Sequence, residues 1–313
     1  MARPGDRLTL VPVTRWRLAD RVLEFPPPLA AGIVNVTVDS FFEGARSGTP
    51  ERATEDGVRL VEAGFDLLDV GAVPARAGEP VAADEEAARL VPAIEGLVER
   101  VDVPISADTF QAQVAERALD AGAVAINDIS GGADPELLEL VGDRGCGYVL
   151  MHIEGPPRVD RDPAGHDDPV AYLIGWFAER LESALARGVH EDQIALDPGF
   201  DFDLTVEDDV RILAGIGELR RLGRPLFVAL SRKDFLGAVL TGSWEERAPA
   251  AEREWGTAAA AALAAAAGAE VLRLHDRSAV DALRVAAAIA DPSLVDEGTS
   301  RAADPAVSRA GRR

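Results

Sequence analysis

The chain has 313 residues, 47% of them hydrophobic, which suits one large domain or two small ones. Its formal net charge of −22 argues against nucleic acid or an anionic membrane as the partner, so an anionic substrate would need a locally positive pocket. No apolar stretch is long enough to span a bilayer, no signal-peptide core follows the N-terminal residues, and the single cysteine, Cys146, excludes an intrachain disulfide. We therefore expect a cytoplasmic protein.

Short apolar runs alternate with helical patterns eight times along the chain. The predicted strands cover residues 33–36, 67–70, 103–107, 124–126, 148–151, 194–196, 226–230 and 271–274. The helices that follow them are predicted over residues 51–63, 84–100, 111–121, 135–141, 170–187, 206–222, 253–267 and 278–289. Continuous apolar runs are typical of parallel strands buried on both faces. Eight such units predict a (β/α)₈ (TIM) barrel.

The two ends of the chain differ from this repeat. Residues 8–25 alternate enough to predict an N-terminal β-hairpin, which is placed to close the lower end of the barrel. Residues 291–313 are rich in Ser, Ala, Pro and charge, so we expect a disordered tail after a single domain over residues 1–290. An open doubly wound sheet is the alternative fold, but no Gly-x-Gly-x-x-Gly follows the first strand.

Two residue types are scarce enough to be informative. Lys233 is the one lysine among 32 basic residues, and Asn35 and Asn127 are the only asparagines. Lysine and arginine are not interchangeable at a tight site, and asparagine offers an amide donor and an acceptor together. We interpret all three as functional.

Polar residues collect at the C-terminal ends of the predicted strands, which form the active-site face of such a barrel. One group suits a heteroaromatic ring with amino and N–H groups, and consists of Asp108, Asn127 and Asp197. A second group suits a phosphate or carboxylate, and consists of Lys233, Arg273 and His275. Asn35 stands apart at the end of the first strand. A ligand with a heteroaromatic head and an anionic tail would satisfy all of them.

The remaining histidines are interpreted differently. His152, at the end of the fifth predicted strand, is assigned a structural role. His166 and His190 fall in loop or helix-end contexts and are interpreted as surface residues.

Seven segments, in order and at matching spacing, resemble dihydropteroate synthases over residues 32–276. They are Gly32-Ile33-Val34-Asn35-Val36-Thr37-Val38-Asp39-Ser40-Phe41, Asp108-Thr109, Ile126-Asn127-Asp128-Ile129-Ser130-Gly131-Gly132, Leu150-Met151-His152, Leu196-Asp197-Pro198-Gly199, Ser231-Arg232-Lys233 and Arg273-Leu274-His275-Asp276. Each motif alone is weak, whereas the ordered set is very specific. The resemblance implies a barrel, usually dimeric, that joins 6-hydroxymethyl-7,8-dihydropterin diphosphate to 4-aminobenzoate. This transferase reaction of folate biosynthesis releases pyrophosphate with the help of Mg²⁺.

The resemblance also implies a role for each matched residue. Asp108, Asn127 and Asp197 would hold the pterin ring, with Lys233 beside its carbonyl end and the aminobenzoate. The diphosphate would be bound by Arg273, His275 and Asn35, and Asn35 would also reach the magnesium ion. Phe202 and Arg76 would contact substrate as well. The catalytic residues would be Lys233, Arg273 and Asp108.

The chain departs from the family pattern on the side of the second substrate. Residues 71–78 replace the usual Gly-Gly-Glu-Ser-Thr-Arg-Pro-Gly and keep only Arg76 among its polar members. Val38 stands where proline is usual, Asp203-Leu204-Thr205 replaces Gly-Lys-Thr, and Asp234 stands where serine is usual. We expect Asp234 to repel an anionic benzoate, costing ~1 kcal/mol in water and more when desolvated. Such a pocket predicts weak binding of aminobenzoate and of the sulfonamides that mimic it.

These departures leave three hypotheses open. The chain is a working synthase with an altered aminobenzoate pocket, or a paralogue that binds pterin diphosphate without the standard reaction. The third is a pterin-binding methyltransferase that transfers a folate methyl group to a corrinoid protein. The segments at 231–233 and 273–275 weigh against this third hypothesis, because methylfolate has no diphosphate for them to bind.

Overall fold

The structure, a computed structural model, describes residues 15–25, 27–36, 48–75 and 78–295. In this part of the chain, an antiparallel hairpin precedes eight parallel strands. The hairpin strands are β1 (Arg15–Leu18) and β2 (Arg21–Glu24). The parallel strands are β3 (Leu29–Asn35), β4 (Leu67–Gly71), β5 (Ile105–Asp108), β6 (Ala125–Asp128), β7 (Gly147–Met151), β8 (Ile194–Asp197), β9 (Phe227–Ala229) and β10 (Val271–Leu274).

The eight parallel strands form the predicted barrel. Their order is β8-β7-β6-β5-β4-β3-β10-β9, and every neighbouring pair is parallel. A parallel bridge between Leu196 and Leu226 joins β8 to the start of β9, supported by a hydrogen bond of 2.8 Å from Leu196 N to the Pro225 carbonyl. The sheet is therefore closed at that seam, and the (β/α)₈ prediction is confirmed.

Helices follow every barrel strand, as the sequence predicts. They are α1 (Pro50–Glu62), α2 (Ala83–Val98), α3 (Ala112–Asp120), α4 (Pro135–Arg144), α5 (Pro169–Ala186), α6 (Val206–Gly215), α7 (Asp234–Thr241), α8 (Glu254–Ala266) and α9 (Arg277–Ala290). The predicted helix over residues 206–222 is shorter, because Ile216–Leu222 continues as a 3-10 helix. Helix α7 lies between β9 and α8 and was not predicted from the sequence.

Strand alternation divides the barrel into two hydrophobic clusters. Side chains on the outer face, such as Val34, Leu68 and Leu272, pack against the helices in the main core. Side chains on the inner face form a separate cluster with the hairpin, and include Ala31, Leu67, Ala125, Val149, Ala195, Phe227 and Val271. Residues two positions apart on a strand share a face, so the residue two positions after an inward-facing one also faces inward.

The hairpin closes the lower end of the barrel, as predicted. Trp16 is fully buried against this inner layer, its ring edge-on to Phe227 with centroids 6.2 Å apart. Its indole Nε1 donates to the Gln193 carbonyl at 2.6 Å, which satisfies the one polar atom of the ring. The predicted residues 8–14 lie outside the described residues.

Two residues further along four of these strands, the inward side chain changes from apolar to polar. Above Leu67, Ala125, Ala195 and Val271 stand, respectively, Asp69, Asn127, Asp197 and Arg273. The barrel interior is therefore apolar at the bottom and charged at the top. This polar layer lies at the C-terminal ends of the strands, where β/α barrels place their active sites.

After α9 the chain forms a short 3-10 helix at Pro292–Leu294. The rest of the predicted disordered tail, residues 296–313, lies outside the described residues. Among the described helices, none has the length and apolarity needed to cross a membrane.

Candidate active site

A pocket opens at the C-terminal ends of the barrel strands. Six of the predicted site residues line it together, and they are Asp108, Asn127, Asp197, Phe202, Lys233 and Arg273. The rest of the wall is small or apolar, and consists of Ala75, Ile129, Met151, Gly199 and Ala229. The sequence therefore brings carboxylate, amide and cationic groups from four strands and one loop to one place.

Asp69 organises the polar layer from beneath. Its Oδ2 accepts hydrogen bonds from Arg273 Nε at 2.5 Å and from Asn127 Nδ2 at 3.0 Å. Arg273 Nη2 also donates to Asp108 Oδ2 at 2.8 Å. Asp69 was not predicted as a site residue, although an aspartate inside the apolar run of residues 67–70 is an available signal. Its fully buried carboxylate fixes the orientation of two predicted ligand-binding groups.

Acceptor atoms in this layer remain available for a ligand. Within the described residues, Asn127 Oδ1 and Asp69 Oδ1 are buried and have no hydrogen-bond partner. Asp197 Oδ1 accepts from Gly199 N at 2.9 Å. Gly199 adopts φ 73°, and a Cβ there would lie 2.2 Å from the His152 carbonyl oxygen, so glycine is required. Unpaired buried acceptors are costly, and a ligand with several N–H donors would relieve that cost.

Burial changes the acidity of these carboxyls. It raises the pKa of Asp197 to about 6, against the lowering effects of the Gly199 backbone N–H and of Lys233. It also raises the pKa of Asp108, although the neighbouring Arg273 acts in the opposite direction. The barrel mouth therefore holds carboxyls that exchange protons near neutral pH, and such shifts are common at functional sites.

Lys233 stands at the N-terminus of α7 and reaches across the mouth of the barrel. Its Nζ donates to the Phe200 carbonyl at 2.7 Å and lies 4.4 Å from the centroid of the Phe202 ring. Burial lowers the pKa of Lys233, while Asp201 and Asp197 oppose that shift. The compact ammonium is therefore held by a carbonyl on one side and an aromatic face on the other.

Arg273 and His275 differ from the free cationic pair that the sequence suggested. The Arg273 guanidinium is already bound to two carboxylates, although its five N–H donors leave others for a ligand. His275 lies outside the pocket wall, with Nδ1 2.8 Å from Ser231 Oγ. Burial, with Arg273 and Arg232 nearby, lowers the pKa of His275 to about 3. A pKa lowered in this way favours the neutral imidazole, and the binding of substrate by His275 stays a prediction.

Among the other predicted residues, Asn35 is not brought into the pocket wall. Asn35 ends β3, paired in register with Gly71 on β4, and its side chain is partly exposed. Arg76 lies outside the described residues. The preceding residue, Ala75, lines the pocket.

The acceptor side of the pocket is the side expected to bind the second substrate. There, the surroundings of Asp234 differ from the expectation. Its Oδ1 accepts from Arg253 Nη1 at 2.5 Å and lies 3.4 Å from Arg247 Nε, with both members of the first pair buried. This carboxylate faces α8 and is compensated by arginine, so the expected repulsion of a benzoate is not supported. The reason is that Asp234, the first residue of α7, lies beside Arg253 and Arg247.

Two further aspartates shape the loop before α6. Asp201 and Asp203 have φ of 65° and 58°, in the left-handed region that aspartate tolerates better than most residues. Asp201 accepts from the α7 backbone, with Phe235 N 2.9 Å from its Oδ1 and Asp234 N at its Oδ2. Asp203 forms a two-armed pair with Arg161, at 2.9 and 2.8 Å. Asp203 begins the segment Asp203-Leu204-Thr205, which replaces the usual Gly-Lys-Thr of the family pattern.

The histidines outside the pocket were only partly interpreted correctly. His152 is fully buried, consistent with a structural role, and burial lowers its pKa to about 4. His190 is exposed, as expected. His166, however, stacks on Tyr172 with ring centroids 3.9 Å apart and contacts Asp208 at 3.2 Å. His166 therefore lies in a loop, as predicted, but its side chain is packed against neighbours and only 16% exposed.

A larger cavity of about 650 Å³ lies beside this pocket, between the loops that precede α3, α4 and α5. Phe110, Ile153 and Arg180 are among its lining residues. It contains none of the predicted site residues, so the smaller pocket over the polar layer is the candidate active site.

Comparison with known proteins agrees with this geometry. The family model described as pterin binding enzyme matches residues 31–275. A dihydropteroate synthase of Synechocystis is 36% identical over 272 residues, covering 82% of this chain and 92% of the relative. A Mycobacterium leprae protein named inactive dihydropteroate synthase 2 is 40% identical over 257 residues, covering 79% of this chain and 85% of the relative.

Solved structures give the same result. The Xanthomonas albilineans dihydropteroate synthase with 4-aminobenzoic acid superimposes with a TM-score of 0.79 at 40% identity, covering 88% of this chain and 98% of the other. A structure from the same organism in complex with 7,8-dihydropteroate gives a TM-score of 0.76 at 40% identity, with 88% and 99% covered. The chain therefore belongs to the family of pterin binding enzymes that includes the dihydropteroate synthases.

Proposed function

We propose that the protein is a dihydropteroate synthase, condensing 6-hydroxymethyl-7,8-dihydropterin diphosphate with 4-aminobenzoate to give 7,8-dihydropteroate and pyrophosphate. The observation that carries the proposal is the pocket in which Asp108, Asn127, Asp197, Lys233 and Arg273 converge. Relatives with the same fold bind 4-aminobenzoic acid and 7,8-dihydropteroate, which are the second substrate and the product of this reaction.

The pterin ring matches the unpaired acceptors of the polar layer. Asn127 Oδ1 and the carboxylates of Asp108 and Asp197 would accept from the amino and N–H groups of the ring. Held there, the ring would present its methylene carbon toward Lys233 at the mouth. Binding of this kind orients the reacting carbon before the second substrate arrives.

The reaction breaks the bond between the methylene carbon and the diphosphate oxygen, and forms a carbon–nitrogen bond to the aniline nitrogen, which loses a proton. Positive charge develops on the pterin as the diphosphate departs. Asp108 and Asp197 would stabilise that charge, and the remaining donors of Arg273 together with Lys233 would stabilise the departing anion. We propose Lys233, Arg273 and Asp108 as the catalytic residues on this ground.

The donor groups of the site suit Mg²⁺ only if the ion is bound by the protein and the substrate diphosphate together. Within the described residues there is no cluster of three or more His, Cys, Asp or Glu side chains able to hold a metal. Mg²⁺ is often bound through one or two protein oxygens, several waters and substrate phosphates. Asn35 supplies one such amide oxygen at the end of β3, and would hold the ion with the diphosphate. When bound, Mg²⁺ would neutralise charge on the leaving diphosphate.

We further propose a homodimer in the cytoplasm. Large apolar side chains are exposed on the helices at the end of the chain, including Trp255 at 78%, Leu263 at 63% and Ile289 at 76%. Exposed apolar side chains concentrated on one side of a molecule are typical of a protein–protein interface. Cys146 is a buried free thiol, as suits a reducing compartment. Sedimentation velocity of wild type and Trp255→Ser would test the dimer.

Turnover tests the synthase proposal. Purified protein with Mg²⁺ and both substrates should release pyrophosphate and form 7,8-dihydropteroate, detected by coupled assay and mass spectrometry. Omitting 4-aminobenzoate is the control, because pyrophosphate release must then stop. Pterin diphosphate binding without any product would reject the synthase.

The second candidate is a paralogue that binds pterin diphosphate without this condensation. It is favoured by the 40% identity to a relative named inactive, and by the rebuilt acceptor side at 71–78 and 201–205. Calorimetric binding of pterin diphosphate, combined with absent turnover, would establish this candidate.

A further inference from the structure

We propose that Arg158 is a positioning residue for the second substrate. It would hold the acceptor loop, defined as residues 72–75 and 78–82 between β4 and α2, against the wall of the active-site pocket. This inference rests on the proposed synthase function and identifies a residue that orders the acceptor side.

The two arms of the Arg158 guanidinium bind the backbone of the acceptor loop at two points. Nη1 donates to the Pro74 carbonyl at 2.8 Å, and Nη2 donates to the Glu79 carbonyl at 2.7 Å. Arg158 comes from the connection between β7 and α5, on the other side of the barrel mouth. A planar fork with two parallel donors can bridge two carbonyls, whereas a single ammonium binds as a point charge.

The local backbone is adapted to this contact on both sides. Arg158 has φ of 63°, a left-handed conformation that persists in a non-glycine residue only when its surroundings enforce it. On the loop, a Cβ added to Gly78 would lie 2.7 Å from Arg158 Nη2. Glycine at 78 therefore lets the guanidinium approach the loop closely.

The bridged segment forms part of the pocket. Ala75, next to Pro74, lines the pocket and packs against the cluster of Ile129, Met151 and Ile153. The far end of the loop is held by Gln111, whose Nε2 donates to the Val81 carbonyl at 3.3 Å. Between these points the family's usual Glu, Ser and Thr are absent. Arg158 thus supplies from a neighbouring loop the hydrogen bonds that the acceptor loop's own side chains no longer provide.

Arg158→Ala should loosen the acceptor loop and weaken acceptor binding selectively. We expect amide hydrogen exchange of residues 72–75 and 78–82 to become about tenfold faster, because the bridged carbonyls lose their partner. Affinity for 7,8-dihydropteroate, which carries the aminobenzoate portion, should fall about tenfold, with pterin diphosphate affinity changed less than about twofold. In turnover, the effect should appear in KM for aminobenzoate and hardly in kcat.

Three variants sharpen the test. Val159→Ala alters the adjacent, 53% exposed residue and should behave as wild type. Gly78→Ala disturbs the same contact from the loop side and should reproduce the Arg158→Ala pattern. Arg158→Lys keeps the charge but not the fork, so it should restore only part of the affinity.

Two results would overturn the proposal. Unchanged exchange in Arg158→Ala would mean that the arginine does not hold the loop, whatever the protein catalyses. Faster exchange with equal losses for dihydropteroate and pterin diphosphate would show a general loosening of the barrel mouth instead. If wild type bound neither ligand, the proposed function would fail, whereas the exchange experiment would still report on Arg158.

Discussion

The pterin side and the acceptor side of the pocket are built in different ways. The pterin side is carried by strands: Asp69, Asp108, Asn127, Asp197 and Arg273 rise from the inner face of the barrel. The acceptor side is carried by loops, in which contacts such as Arg158 to Pro74 and Arg161 to Asp203 set the geometry. Residues on rigid strands keep their geometry while loops accept substitution. This difference explains why the pterin side matches the family pattern while the acceptor side departs from it.

The largest expected effect comes from removing the support of the pterin side. Asp69→Ala would leave Arg273 buried with one carboxylate fewer, so we expect a loss of about 3–5 kcal/mol in the free energy of unfolding. Urea denaturation followed by circular dichroism measures it. Asp120→Ala, at an exposed ion pair, is the control and should cost under about 1 kcal/mol. Equal stability of Asp69→Ala and wild type would refute the organising role of Asp69.

Lys233→Arg tests whether the lone lysine is fitted to its place between the Phe200 carbonyl and the Phe202 ring. The broader guanidinium cannot occupy the same position, so we expect kcat to fall about 100-fold although the charge is kept. Steady-state kinetics with saturating substrates measure this loss. Near-normal turnover would mean that only the charge matters.

Asp197→Ala tests the pterin side directly. The pterin would lose a buried hydrogen-bond partner, and we expect binding of pterin diphosphate to weaken by about 2–3 kcal/mol. Calorimetry gives this value, with thermal unfolding as the check that the variant is folded. Equal binding by variant and wild type would falsify the pterin assignment.

The pH dependence of binding should reflect the same carboxyl. The pKa of Asp197 is raised to about 6, so its ionised, acceptor form is lost as pH falls through that value. Affinity for pterin diphosphate should drop up to about tenfold per pH unit below 6. Stability of the ligand-free protein should change in the opposite direction, because a raised pKa contributes stability that is lost as pH rises through 6. Asp197→Asn should flatten this part of both profiles.

The smallest expected effect on catalysis belongs to Asp234→Ser. Because Asp234 is compensated by Arg253 and Arg247, its removal should change KM for aminobenzoate by less than about twofold. The variant should still be less stable, since Arg253 loses its buried partner. A clear decrease in KM would restore the electrostatic explanation that the sequence alone suggested.

The sequence alone predicts the site residues that lie on strands. Its predictions fail mainly for residues whose surroundings depend on loops. Strand alternation and the polar strand ends place Asp108, Asn127, Asp197 and Arg273 in one layer, because position along a strand fixes both face and height. The protonation of His275, the stacking of His166 and the orientation of Asp234 depend on contacts between distant segments. No local pattern encodes such contacts. Asp69 is an intermediate case. Its position inside an apolar run can be seen in the sequence, whereas its hydrogen bonds to Arg273 and Asn127 cannot.

One carboxylate oxygen, Asp69 Oδ2, is shared by Asn127 and Arg273. Energetic effects of substitutions are additive only when the sites share no partner. Changes at Asn127 and Arg273 should therefore be coupled, and a double-mutant cycle between them should show a non-zero interaction energy although no direct hydrogen bond joins them. Because this oxygen links the two residues, a substitution that changes recognition of the ring also changes recognition of the anion. We therefore expect substitutions during evolution mainly in the loops around the barrel mouth.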